Sequence, residues 1–485
     1  MKDETSEDQN EKLRDAQDLF EDAVDHHANA HLEAHRAERF YHNTECEGQW
    51  ESEDLEYLRD QLRPAFTFNI IKSKVDTFLG MYADAQRRPV VSAASGDDED
   101  QLLADVINTC VDQQFEEARY EELAARMLKT SAIAGDCGMH IEFAPSDDGE
   151  DWIKINLHRI LPFELHWDIS SVEPDRSDAR YVFWDRWFSR SEFKNAYPKH
   201  AKDWDTITTQ GDSEDGLADS GASVELGGNM FGAEDDYDQE RFYRYYYNRR
   251  KNKIRVIRYE YKAFVEKYYV VNLETGEKQE VDAGTKERVE QAQFMGMPVE
   301  WSERTEEVTQ VCEFAGTTML GEYEQAGPFE GFSIVSSCYD IDEEVGTAYG
   351  LIRNLFDPQQ ELNKSKSLEI EYLAQSTAPG VIAEEDAITD TESFSDEMKR
   401  AGGVALVKKG ALQEGRVQDR NITPPSAMVA QRMQGAMELL SEVSTIPSAS
   451  NLTAAEHAQA GVSVALRYHK SRQAVSSPFS HHESA

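Results

Sequence analysis

From His140 the apolar pattern of this chain changes period, and that change sets the fold class. Before it, Ile107, Val111, Phe115 and Ala118 recur at spacings of four, four and three, one face of a helix. After it, Ile153, Ile155 and Leu157 alternate with polar residues, and Tyr181 to Phe188 is aromatic and β-prone. From Tyr349 the helical spacing returns. A helical stretch, a strand-rich centre and a second helical stretch make an α+β protein.

Punctuation refines this plan. Leu13, Ala16, Phe20, Ala23 and Val24 form one stripe of an otherwise acidic helix over 7–40. A second helix starts near Ser52 and stops at Arg63-Pro64; a third is expected over Phe66–Tyr82, ended by Arg88-Pro89. The spacing predicts one helix over 101–134, closed by Gly135 and Gly138. Residues 201–238, rich in Asp, Gly, Ser and Thr, read as a long exposed loop. Two hairpins are predicted: Arg241–Tyr247 with Ile254–Tyr261, and Tyr268–Leu273 with a strand near Val281. The final third carries helices over 349–376 and 426–446, a strand pattern at Gly402–Val407 between them, and a last helix over 453–474.

Composition narrows the function. With 39% hydrophobic residues over 485, the chain is long enough for two or three packed units. No apolar run is long enough for a membrane span. Met1–Asn10 is acidic and lacks the form of a secretory signal, which predicts a protein kept in a cytoplasm. Five scattered cysteines, with no CxxC, argue against a disulfide framework and against a structural zinc site. The formal net charge of −43 predicts repulsion of nucleic acid wherever the charge is evenly spread, and solubility in concentrated salt.

Motifs for covalent chemistry are weak. His27, His31 and His35 are spaced four apart on one helix face, but form no HExxH, so a polar helix face outweighs a metal site. Asp340, Asp342, Glu343 and Glu344 form a carboxylate cluster of the kind metal-dependent nucleases use. In a chain with 93 acids one such cluster is expected by chance, and no base accompanies it at a fixed offset. There is no GxxxxGK[ST] loop, no GxSxG elbow and no kinase set. No catalytic residue, metal ligand or cofactor is therefore assigned.

Several segments in order resemble the portal proteins of tailed double-stranded DNA bacteriophages, in the short-tailed Salmonella-phage branch. They are Arg63-Pro64-Ala65-Phe66-Thr67-Phe68-Asn69-Ile70 followed by Val75, Gly80 and Arg88-Pro89; Asp97–Asp100 leading to Ser131–Gly138; Ile160–Phe163, Trp167-Asp168 and Asp175–Arg180; and Tyr349-Gly350-Leu351-Ile352-Arg353 with Asp357–Ser367. The last resembles the family's "YGxxR…DPQxExNxxxS" signature. Lys364 and Lys366 stand where the family often has arginines, and the chain stops at Ala485 where larger members continue into a helical barrel.

The resemblance implies a ring of about twelve copies at one capsid vertex, with helical stem and crown and a β-rich wing and clip. The ring would pass the genome during packaging, retention and ejection. Its partners would be the large terminase, a head-tail adaptor, coat and scaffolding proteins and genomic double-stranded DNA, with no membrane. The setting would be the virion, and the host cytoplasm during assembly. On that plan the chain divides into an N-terminal helical arm (1–62), a helical wing part (63–139), a β-rich unit (140–340), stem- and clip-related helices and strands (341–446), and a channel loop with a C-terminal helix (447–485).

The few concentrated bases gain meaning in that setting. Arg467, Lys470 and Arg472 lie in a stretch, 457–482, without Asp or Glu, and are candidates for DNA contact in the channel, with Ser450 and Asn451 on the preceding loop. Lys364, Lys366, Lys408, Lys409 and Arg416 are candidates for subunit-interface or DNA contact, the 399–420 group leaning toward acids of neighbouring copies. The competing readings are a metal-dependent nucleic-acid-processing enzyme using the 340–344 carboxylates, and a host scaffold.

Overall fold

The computed structural model describes residues 2–43, 48–61, 63–85, 90–93, 98–145, 153–213, 246–248, 251–272, 278–281, 283–286, 288–289, 299–325, 331–377, 381–388, 390–399, 406–419, 427–444, 446 and 476–484. The chain opens with four helices, α1 (Lys2–His42), α2 (Ser52–Asp60), α3 (Ile70–Ala85) and α4 (Asp98–Ala118), followed by α5 (Tyr120–Ala134). Strands β1 (Gly138–Pro145), β2 (Ile153–Ile160), β3 (Leu165–Trp167) and β4 (Tyr181–Ser189) lead to α6 (Arg190–Ala196) and α7 (Trp204–Ser213). Next come β5 (Tyr247–Asn248), β6 (Lys253–Asn272), β7 (Lys278–Val281), β8 (Val299–Ala315) and β9 (Thr318–Glu324). Short strands β10 (Ile334–Ser336), β11 (Asp340–Asp342) and β12 (Thr347–Tyr349) precede a 3-10 turn, Leu351–Leu355, and α8 (Phe356–Thr377). The chain continues through β13 (Val381–Ala383), α9 (Thr391–Lys399), β14 (Val417–Asp419), α10 (Ala427–Val443) and α11 (Ser476–Ser484). The α+β class and its helix–strand–helix order follow the change of period.

Three boundaries differ from the sequence expectation. The helix expected over 101–134 breaks at Arg119, which adopts a left-handed φ of 50°. The break lets the Tyr120 ring stack on Phe115 at 4.5 Å, a local contact that apolar spacing does not reveal. The helix expected from Phe66 starts instead at Ile70, where Asn69 Oδ1 accepts the Lys72 N–H (3.2 Å) as an N-terminal cap. The loop expected over 201–238 begins with helix α7, because Trp204 and Ile207 are enough to bury one turn against Phe193, Ile254 and Leu320. The rest of that loop, 214–238, lies outside the described residues, as do 241–245, 400–405 and the helix expected over 453–474.

Residues 1–34, 87–350 and 477–485 form one compact unit. Its frame is an antiparallel sheet of order β3-β4-β6-β8-β9, with β5 and β7 also paired to β6. Period-2 alternation buries β4 on both sides. Tyr181 and Phe183 face the α1 stripe Leu13, Ala16, Phe20, Ala23 and Val24, while Val182 and Trp184 pack with Ile160, Leu165, Trp167 and Ile334. The expected pairing of Tyr268 with Val281 is present. Within this frame the aromatic run Phe183, Tyr259 and Tyr261 stacks ring on ring, at 4.5 and 4.7 Å.

Two glycines join the α5 end to the 349–350 corner. A Cβ on Gly350 would lie 2.5 Å from the Ile133 carbonyl oxygen, and one on Gly135 would lie 2.7 Å from Tyr349 Cα. Gly135 also has a φ of +105°, so both positions exclude a side chain. The segments Ser131–Gly138 and Tyr349-Gly350, far apart in sequence, therefore meet at Gly135 and Gly350.

Residues 35–86 and 351–476 form the second unit. Where α8 packs on α10, Leu362, Ala436 and Leu440 are buried. The helix α3 contributes Ile71, Val75, Phe78 and Met81 to the interior. Phe40 packs edge-on against Phe356, with ring centroids 4.8 Å apart. The strands β13 and β14 pair with each other between α8 and α10 in the sequence.

Candidate functional site

The most developed polar site in the second unit lies where residues 63–69 run along α8. Four polar residues on that helix, Gln359, Asn363, Ser367 and Glu371, recur every four positions and so share one face. Each engages the extended segment. Arg63 pairs with Glu371 at 2.7 Å. The Phe66 N–H donates to Ser367 Oγ (2.9 Å), and the Phe68 N–H donates to Asn363 Oδ1 (2.9 Å). Gln359 Nε2 donates to the Phe68 carbonyl (2.6 Å) and to Asn363 Oδ1 (3.1 Å).

The network continues inward. Asn363 Nδ2 donates to Gln49 Oε1 (2.9 Å), and Gln49 Nε2 donates to the Phe40 carbonyl (3.0 Å). Trp50 Nε1 donates to Thr67 Oγ1 (3.1 Å), and Asn69 Nδ2 to the Tyr41 carbonyl (2.8 Å). Gln359, Asn363 and Gln49 are all buried. A buried amide left without partners costs about 1–3 kcal/mol, so this seam fixes one register of 63–69 on α8. The two sequence stretches that most resembled portal proteins are its two sides.

Lys74 departs from the apolar pattern of α3. It occupies the Ile71–Val75–Phe78 stripe, is 1% exposed, and donates to the Ile446 carbonyl and to Ser441 Oγ (3.3 Å). Burial pushes its ammonium down to about 8. The cation sits just past the C-terminus of α10, where the helix dipole favours positive charge. Neither the lysine nor this role was legible from spacing alone.

The basic candidates fall into three groups. Lys364 is paired with Asp54 (2.6 Å), which raises its pKa, and Lys366 with Glu369 (3.0 Å). Arg416 pairs with Glu414 (2.5 Å) and lies 3.7 Å from Glu384. Lys408 and Lys409 are exposed on the turn before β14. Arg467, Lys470, Arg472, Ser450 and Asn451 lie outside the described residues.

The sites proposed for chemistry are engaged in structural bonds. Tyr349 Oη donates to Asp340 Oδ2 (2.6 Å), and the Ile341 and Glu344 N–H groups donate to Asp340 and Asp342 side chains. His27 and His31 are buried where α1 meets β3, with the His31 ring 5.1 Å and the His27 ring 6.3 Å from that of His166. His27 Nδ1 donates to the Ala23 carbonyl (2.8 Å). Burial lowers His27 to about 3, and it lowers His166 as well despite the nearby Asp185 carboxylate. His35 is held down to about 4, mainly by burial. Asp185 instead matches Arg255, at 2.6 Å, with both side chains buried. Among the described residues no group of three His, Cys, Asp or Glu side chains is placed to hold a metal ion.

A helix-clad antiparallel sheet and a helical unit locked by a backbone-to-side-chain seam define an α+β protein of two units. Residues 17–485 match the family described as phage P22-like portal protein, and the chain belongs to that family. Comparison with curated proteins gives no match. The family is structural rather than enzymatic, its members are components of the virion capsid, and they act as homo-oligomers. No described helix is long and apolar enough to cross a membrane.

Proposed function

We propose that this chain is the subunit of a ring of about twelve copies that occupies one capsid vertex and passes the genome during packaging, retention and ejection. The observation that carries the reading is the seam. It joins the two sequence stretches most characteristic of portal proteins, through three backbone hydrogen bonds and one ion pair.

The work of such a ring is mechanical. A passage of mostly negative sign holds DNA weakly, so the strand slides instead of sticking. Arg467, Lys470 and Arg472, with Ser450 and Asn451, supply the local phosphate contacts. Lys408, Lys409 and Arg416, between α8 and α10 in the sequence, meet the acids of neighbouring copies or contact the DNA, and the large terminase and later the head-tail adaptor dock on the ring so formed. Lys364 and Lys366 serve within the subunit first, given their partners Asp54 and Glu369. Coat and scaffolding proteins surround the ring in the assembling particle. Negative-stain microscopy of the purified chain in high salt tests the reading: closed rings with a central hole support it, and monomers or filaments alone defeat it.

A further inference from the structure

The seam has an outer side. Phe66 and Phe68 are 44% and 39% exposed, although they flank Thr67, which turns inward to receive the Trp50 indole N–H. In an extended segment residues two apart point the same way, so the two rings stand together. Their backbone N–H groups are held by Ser367 and Asn363, and the Phe68 carbonyl by Gln359. Two apolar rings are thus kept at the surface by a buried network that leaves their segment little freedom to turn them in.

We infer that Phe66 and Phe68 are the apolar anchors by which one copy of this chain docks on the next. The inference rests on the ring reading above and adds to it the residues that make the contact.

Charge identifies the occupant. Each copy carries −43, and charged residues make up 29% of the chain, yet Pro64–Ile71 contains none. Two such acidic surfaces can approach only where few like charges face each other. An uncharged stretch bearing two aromatic rings meets that need. A basic partner, by contrast, would be recognised through acids, which are plentiful elsewhere on this chain. Rigid aromatic groups on a pre-ordered backbone also lose little entropy on docking, which is why such residues dominate interface energetics.

The test compares the full-length wild type with Phe66→Ser/Phe68→Ser in high salt, by mass photometry across a dilution series. The expected result is half-dissociation of the ring at a concentration about tenfold higher, or more, with the circular-dichroism melt unchanged. Rings of equal dilution resistance would overturn the inference while leaving the ring reading intact; a wild type that forms no ring would remove the ring reading itself. Should the double variant fail to fold, a photo-crosslinking phenylalanine analogue at position 66 takes its place. Adducts of two copies of this chain support the inference. Adducts only within one chain, or only with another capsid protein in assembled particles, overturn it.

Discussion

Asn363 holds Phe68 through the backbone: its Oδ1 accepts the Phe68 N–H at 2.9 Å while its Nδ2 reaches Gln49 at 2.9 Å. Asn363 is fully buried, and Phe68, Gln359 and Gln49, which it bonds, all belong to the same unit. Replacing it with Ala leaves the Phe68 N–H and Gln49 Oε1 without partners in the interior. The expected cost is about 2–3 kcal/mol. Thermal unfolding should drop by several degrees, and the Phe68 amide should exchange with solvent faster than in the wild type. An unchanged Phe68 exchange rate would mean that the seam does not hold the segment.

The histidines make stability depend on pH. His27 and His140 are lowered to about 3, and His35 and His482 to about 4, in each case mainly by burial, from an ordinary 6.5. The folded state therefore binds fewer protons than the unfolded one between those values. Their stabilisation is complete above pH 6.5 and falls away as the pH drops toward 4 and then 3. His27 alone accounts for on the order of 3 kcal/mol by pH 4. Melting temperatures measured from pH 7.5 to pH 4 should decline steadily, and His27→Phe should flatten part of that slope. A flat profile over this range would show that these rings are not buried neutral.

Much of this architecture was readable in the residues, and its failures have local causes. The α1 stripe, the change of period from His140 and the Tyr268–Val281 pairing were visible because each buries one face at a fixed spacing. The seam was visible only as two separate resemblances. Spacing shows that Gln359, Asn363, Ser367 and Glu371 share a helix face, but not that they receive a backbone almost three hundred residues away in sequence. The same gap hid the true start of α3, since Phe66 and Phe68 fit a helical apolar pattern and are instead extended and outward-facing. Lys74 was missed because a lysine in an apolar stripe reads as an interruption, whereas its role comes from the end of another helix.

Lys74 supports a sharper experiment. Lys74→Met keeps the volume and removes the buried cation, so the cost of burying charge disappears together with the bond to the Ile446 carbonyl. Overall stability should change by less than about 1.5 kcal/mol. The Ile446 carbonyl and the α10 C-terminus, however, lose their cation. Hydrogen exchange of Ser444 and Ile446 should quicken, with the rest of the unit unaffected. Equal protection in both proteins would remove Lys74 from that role.

Assembly should respond to salt in the opposite sense from ordinary DNA-binding proteins. A ring of the proposed twelve or so copies would carry a net charge on the order of −500, so self-repulsion would be strong at low ionic strength. Rings are expected in high salt or with divalent cations, and subunits on dilution into low salt. Light scattering across a salt series reads this directly, and rings that persist at low salt would show that the acids are neutralised within the assembly.

The DNA contact itself is tested by reversing charge where acids are absent. The stretch 457–482 holds no Asp or Glu, so Arg467 and Lys470 are not offset by neighbours in sequence. On the proposed reading, two positive side chains per copy, multiplied around a ring whose passage otherwise repels DNA, would supply a grip that is weak at each point and appreciable in sum. Arg467→Glu with Lys470→Glu replaces attraction by repulsion at every copy. The expected outcome is normal ring formation with reduced packaging or poor genome retention, read as the fraction of full particles. Packaging and retention equal to wild type would place the DNA contacts elsewhere. Loss of the ring itself would instead assign these residues to the contact between copies. The corresponding reversal of Lys408 and Lys409, which lie between α8 and α10 in the sequence, should leave genome retention unchanged and weaken the ring, as expected of residues that face the acids of neighbouring copies.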